Sequence, residues 1–291
     1  MKKALLLLIL IFLSVRPAFS QIEDRLAQLG EDNVSDYIRP FVTTLGTAMN
    51  SNGYYSADIS TMFSLSLSFR GMYILIPDDQ KNFTPTLSEA GYNATKQTAT
   101  VYGDKGAAYA GPQGYIVMPP GINQSFVPVA YPQISASLLG TQVIIRYLPP
   151  TQIADNNDLS IFGFGVAHSI SQYIPLFPLD LAVQFLYNRV EVSDIMKLNN
   201  VAFNVHASKN IGPLIPYIGL QWERSTLDLN YTIKGESPGL ATNTTISASV
   251  KGDNNFRATV GAALKLAVIV LNADFSISAQ PVVSGGLTLA F

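Results

Sequence analysis

His168 and His206 are the only imidazoles in the chain, and it contains no cysteine. Thiolate metal sites, disulfide frameworks and a lipoprotein anchor are thereby excluded. Successive residues of a strand point to opposite faces, so parity assigns each candidate group a side. His206 falls with Asn200, Asn204 and Ser208, opposite Val201, Phe203 and Val205, which makes it polar filler of a narrow barrel lumen. His168 shares parity with Phe162, Phe164, Val166 and Ile170 and is expected to point outward near the periplasmic rim. Ser169 adjoins it but faces the other way, so the two cannot act as base and nucleophile. A lipid-active enzyme would need a serine from another strand. No phosphate loop, metal-ligand cluster or nucleophile elbow is present. The expectation is no catalytic residue, no enzyme, no cofactor and no metal.

A larger group shares lumen parity: Arg146, Gln184, Asn204, His206, Gln221, Glu223, Arg257, Asn272 and Asp274. An unpaired interior charge is costly, so Arg146, Arg257, Glu223 and Asp274 are expected to form ion pairs across the interior. Two readings stay open. Either these groups fill and rigidify a small barrel, or they line a selective pore for a polar solute. Trp222, with Tyr147, Tyr173, Tyr187 and Tyr231 near strand ends, reads as an interfacial aromatic girdle.

Such groups need a scaffold of period two. Phe63, Leu65, Leu67 and Phe69 alternate with Ser64, Ser66 and Ser68, a pattern of lipid-facing and lumen-facing positions. Further strands are predicted at about 132–148, 158–171, 178–191, 199–209, 214–233, 243–264, 268–279 and 282–291. Connections at Ile174 to Pro178, Gly212-Pro213 and Leu266-Ala267 read as short, and those at 149–157 and 234–243 as longer. With both termini periplasmic the strand number is even. One further strand is therefore expected within the Gly/Pro/Tyr-rich connection 78–131, around 94–118. The fold class is all-β, an antiparallel transmembrane β-barrel of about 10 strands, with 8 and 12 left open.

The final strand ends on Val283, Leu287, Leu289 and Phe291, which share one face up to the last residue. This is the terminal-aromatic pattern expected of a barrel-closing strand and of the signal read by the barrel-insertion machinery. At the other end, Lys2 and Lys3, an apolar run from Ala4 to Val15 and Ala18-Phe19-Ser20 predict a cleaved secretory signal over 1–20. Val34, Ile38, Phe41, Leu45 and Met49 recur at helical spacing, so 21–53 is expected to be a helical lid or lumen plug, with Pro40 starting a second helix. The barrel proper then spans 54–291. Loss of residues 1–20 leaves 15 basic and 20 acidic side chains, a net charge of −5 without a basic run. Nucleic acid is a poor partner for that chain. Charged residues make up 13 %, half the usual share in soluble domains, which suits strands that face lipid.

The runs Pro132-Gln133-Ile134-Ser135, Arg146-Tyr147-Leu148-Pro149, Phe162 to Ile170 and Gln172-Tyr173-Ile174-Pro175 resemble a domain-of-unknown-function family of Gram-negative outer-membrane barrels. That resemblance covers most of the mature chain and implies a barrel without assigning an activity. The N-terminal helical segment is remotely similar to that of fatty-acid-transporter-type barrels. Three functions follow as expectations: a channel or transporter for a small or partly apolar solute, a non-transporting docking barrel of an envelope complex, or a lipid-active enzyme. The partners expected are outer-membrane lipid, the assembly machinery and a small solute.

Overall fold

The protein is represented by a computed structural model that describes residues 29, 31–154, 157–174, 176–193, 195–233 and 244–291. The expected signal segment 1–20, the start of the expected helical segment and the connection 234–243 lie outside the described residues, as does the Tyr231 side chain.

One helix, α1 (Glu31–Asn50), precedes the strands β1 (Ser64–Leu75), β2 (Asn82–Phe83), β3 (Thr98–Ala99), β4 (Ala108–Gly111), β5 (Gly114–Val117), β6 (Phe126–Leu138) and β7 (Thr141–Ala154). There follow β8 (Asn157–Ser169), β9 (Asp180–Val192), β10 (Met196–Ser208), β11 (Leu214–Ile233), β12 (Thr244–Lys251), β13 (Phe256–Leu266), β14 (Ile269–Ile277) and β15 (Val282–Ala290). The large sheet runs β1-β6-β7-β8-β9-β10-β11 and returns through β13, β14 and β15 to β1, with all pairs antiparallel. β12 pairs with Thr226–Ile233 of β11, and β13 with Leu214–Trp222 of the same strand. β12 and β13 are thus two halves of one ring position, bridged by Glu223 N–H to Asn255 O and Gly252 N–H to Ser225 O. The closed barrel has ten strands.

The number ten arises differently from the sequence expectation. The strand expected around 94–118 is not in the ring; of 78–131 only Phe126–Tyr131, the start of β6, enters it, and the short pairs β2–β3 and β4–β5 build a cap over one mouth. The tenth strand comes from 132–148, which is not one strand but the hairpin β6–β7 turning at Leu139-Gly140. Both turn residues have positive φ, +52° and +71°, a mirror-image turn that suits hairpin twist. A leucine in its first central place, where Asn, Asp or Gly is usual, hides the turn from sequence reading. The longer connection expected at 149–157 is likewise absent, because β7 reaches Ala154 and β8 starts at Asn157.

Along β10 and β11 the alternation changes meaning without a slip in register. Near the turns of β10 and β11 the outward residues are Val205, Phe203 and Val201 with Leu220 and Trp222, and Asn204, His206 and Gln221 point in. Toward the far tips, outward positions become Lys197, Asn199, Arg224 and Asp228, while Leu198, Met196, Leu227 and Leu229 are buried inside. The lower barrel is therefore apolar outside and polar inside, and the upper part is the reverse. Along the apolar exterior Leu214 to Trp222 is nine residues, about the length with which a tilted strand crosses a membrane. Tyr147 and Trp222 stand exposed at its upper edge with Tyr187 nearby, and Tyr173 is exposed at the opposite rim. There the girdle has its place.

α1 lies inside the upper barrel. Val34, Tyr37, Ile38, Val42 and Met49 are buried against Leu159, Ile161, Val190, Leu198, Leu227 and Val250 of the wall and Val101, Tyr102 and Met118 of the cap. Pro40 sits within one continuous helix and does not start a second one. A proline removes one backbone donor and favours a break; here the surrounding wall holds the helix on both sides of it. The Pro40 carbonyl accepts from Thr44 Oγ1 at 2.9 Å and from Gln280 Nε2 at 3.0 Å.

Candidate functional site: a plugged lumen

The chain enters the barrel at the cap and leaves at the opposite rim. Asn33 and Thr86 exchange two hydrogen bonds, Asn33 Nδ2 to the Thr86 carbonyl at 2.9 Å and Thr86 N–H to Asn33 Oδ1 at 2.8 Å. Val101 N–H donates to the Tyr37 carbonyl, and Tyr37 O–H to the Pro120 carbonyl. Burial pushes the Tyr102 phenol up, and its hydrogen bond with Thr44 draws it partly back. Lower down, Asn52 Nδ2 donates to the Gly285 carbonyl and Tyr54 stacks on His206 at 4.0 Å. Ala57 N–H donates to Ser208 Oγ, and Leu139 and Gly140 N–H groups reach the Thr61 and Ser60 carbonyls at the turn rim.

A helix leaves its last four carbonyls without intrahelical donors, and its C-terminus carries partial negative charge. The wall supplies what is missing. Arg257 Nη2 and Ser51 Oγ donate to the Thr47 carbonyl, and Ser51 N–H donates to that of Ala48. Arg146 Nη1 and Asn188 Nδ2 donate to the Met49 carbonyl, and Gln221 Nε2 to that of Asn50 at 3.1 Å. Two guanidinium groups thus meet the negative end of the helix. Gly46 permits the close approach: a Cβ there would stand 1.9 Å from Ser225 Oγ.

All nine lumen-parity residues point inward and are buried, from Glu223 and Arg146 to Asn272 and Asp274. Their pairing differs from expectation. Arg257 binds Glu223 through two nitrogens, at 2.9 and 3.2 Å, the one buried ion pair among the described residues. Arg146 finds no carboxylate: its partners are Gln133, Asn188, the helix carbonyl and the face of Tyr131 at 4.8 Å. Asp274 accepts from Tyr217 O–H at 2.9 Å instead of pairing with an arginine. Facing groups in a crowded lumen are chosen by reach, and the plug's carbonyls compete for the arginines. Gln184 donates to the Gly53 carbonyl, and Asn204 bridges Gln184, Gln221 and His206.

The sequence reading left out Arg70, which donates to Asn52 and Asn272 at 2.9 Å each. It continues the Ser64, Ser66, Ser68 parity, so the signal was available. The small cavity beside Asn50, Tyr54, Arg257 and Asp274 has room for about one water molecule. Among the described residues Asn200 has no hydrogen-bond partner for either polar side-chain atom. On the outer surface His168 is held by Thr141 Oγ1 at 2.8 Å and Tyr173 O–H at 3.0 Å, with Gln172 also in reach. Its partners are not serines. At the chain end Val283, Leu287 and Phe291 are exposed on the apolar exterior and Leu289 is half-buried there. Phe291 exchanges backbone bonds with Leu65 at 2.8 and 3.0 Å.

A closed antiparallel ring with an apolar exterior and polar interior defines an outer-membrane β-barrel fold, here with its lumen occupied by its own chain. The chain belongs to a family of unknown function, DUF6588, whose model matches residues 1–291. No curated protein matches it. Among solved structures it is similar to OmpT of Vibrio cholerae, at 8 % identity over 79 % of this chain and 98 % of that one, with a TM-score of 0.30. The translocator domain of the autotransporter NalP of Neisseria meningitidis matches at 10 % identity over 90 % and 99 %, TM-score 0.33. LpxR of Salmonella typhimurium matches at 11 % over 78 % and 99 %, TM-score 0.30.

Proposed function

We propose that the protein is a non-transporting outer-membrane barrel that serves as a structural or docking subunit, with the cap as its presented surface. The observation that carries this is the capture of all four C-terminal carbonyls of α1 by the wall and the adjoining chain, beside a cavity of about one water. An open solute path needs a continuous polar channel, and the plug occupies it. The partly hydrophobic interior above the lipid band favours the same conclusion, because Leu198, Leu227 and Val250 bury their surface against α1 and not against a solute.

A gated transporter is the second reading. The plug's lower contacts are hydrogen bonds, which water can replace at modest net cost. Planar-bilayer recording separates the two. The intact chain is expected to insert and not conduct, and removal of 22–50 behind a retained signal segment is expected to raise conductance. In that open form Arg257→Glu should shift ion selectivity toward cations. Sustained or solute-induced conductance of the intact chain would overturn the docking reading in favour of transport.

A further inference from the structure

Directly opposed residues of paired strands point to the same side, so the registers of β9 to β13 sort the outer wall into rows. One row is Phe185, Phe203, Trp222 and Phe256, four exposed aromatic side chains on β9, β10, β11 and β13. Two residues further toward the cap stand Tyr187, Val201 and Arg224. Beyond them run Arg189, Asn199, Thr226 and Lys251, the last on β12. Strand tilt staggers these rows against the membrane plane and keeps their order. An aromatic row thus closes the lipid band, and cations follow it within about 7–13 Å along the strands.

The cations are confined to this face. Among the described residues, the outer wall above the band carries Arg189, Lys197, Arg224 and Lys251, all on β9 to β12; the other cations lie in the lumen, on α1, on the cap or at the turn rim. The acids of the face are engaged. Glu191 holds Arg189 at 2.7 Å, Asp228 accepts from Ser249 O–H at 2.8 Å, and Lys197 stands opposite both carboxylates in the register. Arg224 and Lys251 are exposed and have no ion-pair partner among the described residues. They are diagonal neighbours across β11 and β12, which places them ~7–8 Å apart. Like charges so placed repel each other unless an anion lies between them.

We propose that this face binds a lipid of the outer leaflet through its phosphate, held between Arg224 and Lys251, with the acyl chains against the aromatic row. A guanidinium meets phosphate oxygens in pairs and an ammonium meets them as a point charge, so the two cations suit one phosphate between them. The hydroxyl of Thr226 lies on the same face beside both. A lipid fits better than an acidic protein, because the aromatic row directly below the cations faces hydrocarbon, which a soluble partner does not enter. The leaflet follows from the connections: the longest described, 76–125, is at the cap rim, and long connections face outward in such barrels. The proposal rests on outer-membrane placement and not on whether the cap docks a partner or the lumen gates.

Trp222 is the one tryptophan of the chain, so its emission reports on this face. The full chain, folded in detergent and checked by heat-modifiable migration, is titrated with bisphosphorylated lipid A and with the same lipid after removal of its phosphates. Outer-membrane fractionation tests the placement separately. Native mass spectrometry should show the phosphorylated lipid retained and the dephosphorylated one bound about tenfold more weakly or worse, and the phosphorylated lipid should shift Trp222 emission. Arg224→Gln together with Lys251→Gln changes two exposed side chains and should weaken binding by about tenfold or more. Lys209→Gln with Lys265→Gln, two exposed lysines of the turn rim, should leave it unchanged, and Arg224→Lys should keep most of it. Equal retention by the Arg224/Lys251 double variant, equal binding of the dephosphorylated lipid, or binding that leaves Trp222 emission unmoved would each overturn the proposal. Displacement of the lipid by excess inorganic phosphate would make this a site for the free anion and would overturn it too.

Discussion

Arg257 holds two unlike partners at once, the Glu223 carboxylate and the negative end of α1. Arg146 also meets the helix end, but among the described residues Glu223 has no second cation, so removal of this side chain strands a buried charge. Breaking a buried pair from one side costs about 3–5 kcal/mol. Arg257→Ala should therefore destabilise the folded barrel by that free energy, read as a lower denaturant midpoint in the shift between folded and unfolded bands on a gel. Glu223→Gln in the same chain should restore much of it, because the stranded charge is gone. If the double variant is no more stable than Arg257→Ala, the ion pair is not the source of the loss. Asn254 and Gln221 also bond Glu223, so the residual effect reports on them.

At the scale of elements, the turn rim carries leucines where the backbone asks for something smaller. Leu139 at φ +52° and Leu176 at φ +64° sit in the left-handed region, which costs an ordinary residue about 1–2 kcal/mol. Both are largely solvent- or headgroup-exposed, so packing does not repay the strain there. Leu139→Asn, with Gly140 kept, yields the favoured hairpin pair and should stabilise the barrel by about 1 kcal/mol. Thermal unfolding in detergent would register this as a higher midpoint; a lower one would mean that the leucine side chain makes an anchoring contact. The same turn shows why β6–β7 escaped notice. The only mark in the sequence is the Leu138-Leu139 doublet, across which the outward parity changes from Ile134, Ala136 and Leu138 to Val143, Ile145 and Tyr147; no Asn, Asp or Pro stands there, and the φ pair reveals the reversal. By contrast the β13–β14 and β14–β15 strands stood out, since apolar and polar residues alternate cleanly on both sides of short connections.

For the molecule as a whole, closure depends on the pairing of β1 with β15, which Phe291 completes through Leu65. Deleting Phe291 removes that last backbone pair and the aromatic at the rim of the apolar exterior. The truncated chain should accumulate in the periplasm and be degraded, with little heat-modifiable barrel in the outer-membrane fraction. Wild-type levels of folded barrel would show that the terminal aromatic is dispensable. Plug and wall are linked differently. The ring's strands hydrogen-bond to one another throughout, and α1 adds contacts without contributing any ladder bond, so loss of the plug need not open the ring.

The residues alone determined the ring: a period of two with an apolar face, a terminal aromatic strand and few charges admit few other folds, because lipid demands that every strand be paired. They also determined which side chains point inward, since parity survives any error in where a strand begins. Ten strands emerged from the wrong segments, as the cap region was given a strand that β6 and β7 supply between them. What only the tertiary structure decided is how the interior is shared. Parity places Arg146, Arg257, Glu223 and Asp274 in one lumen but cannot say which of them meet, and it cannot see that α1 delivers four carbonyls among them. Nor can it choose between lid and plug, or tell at which mouth the helix enters. Those outcomes depend on distances across the barrel between residues far apart in sequence, where helix, cap and wall compete for the same few donors.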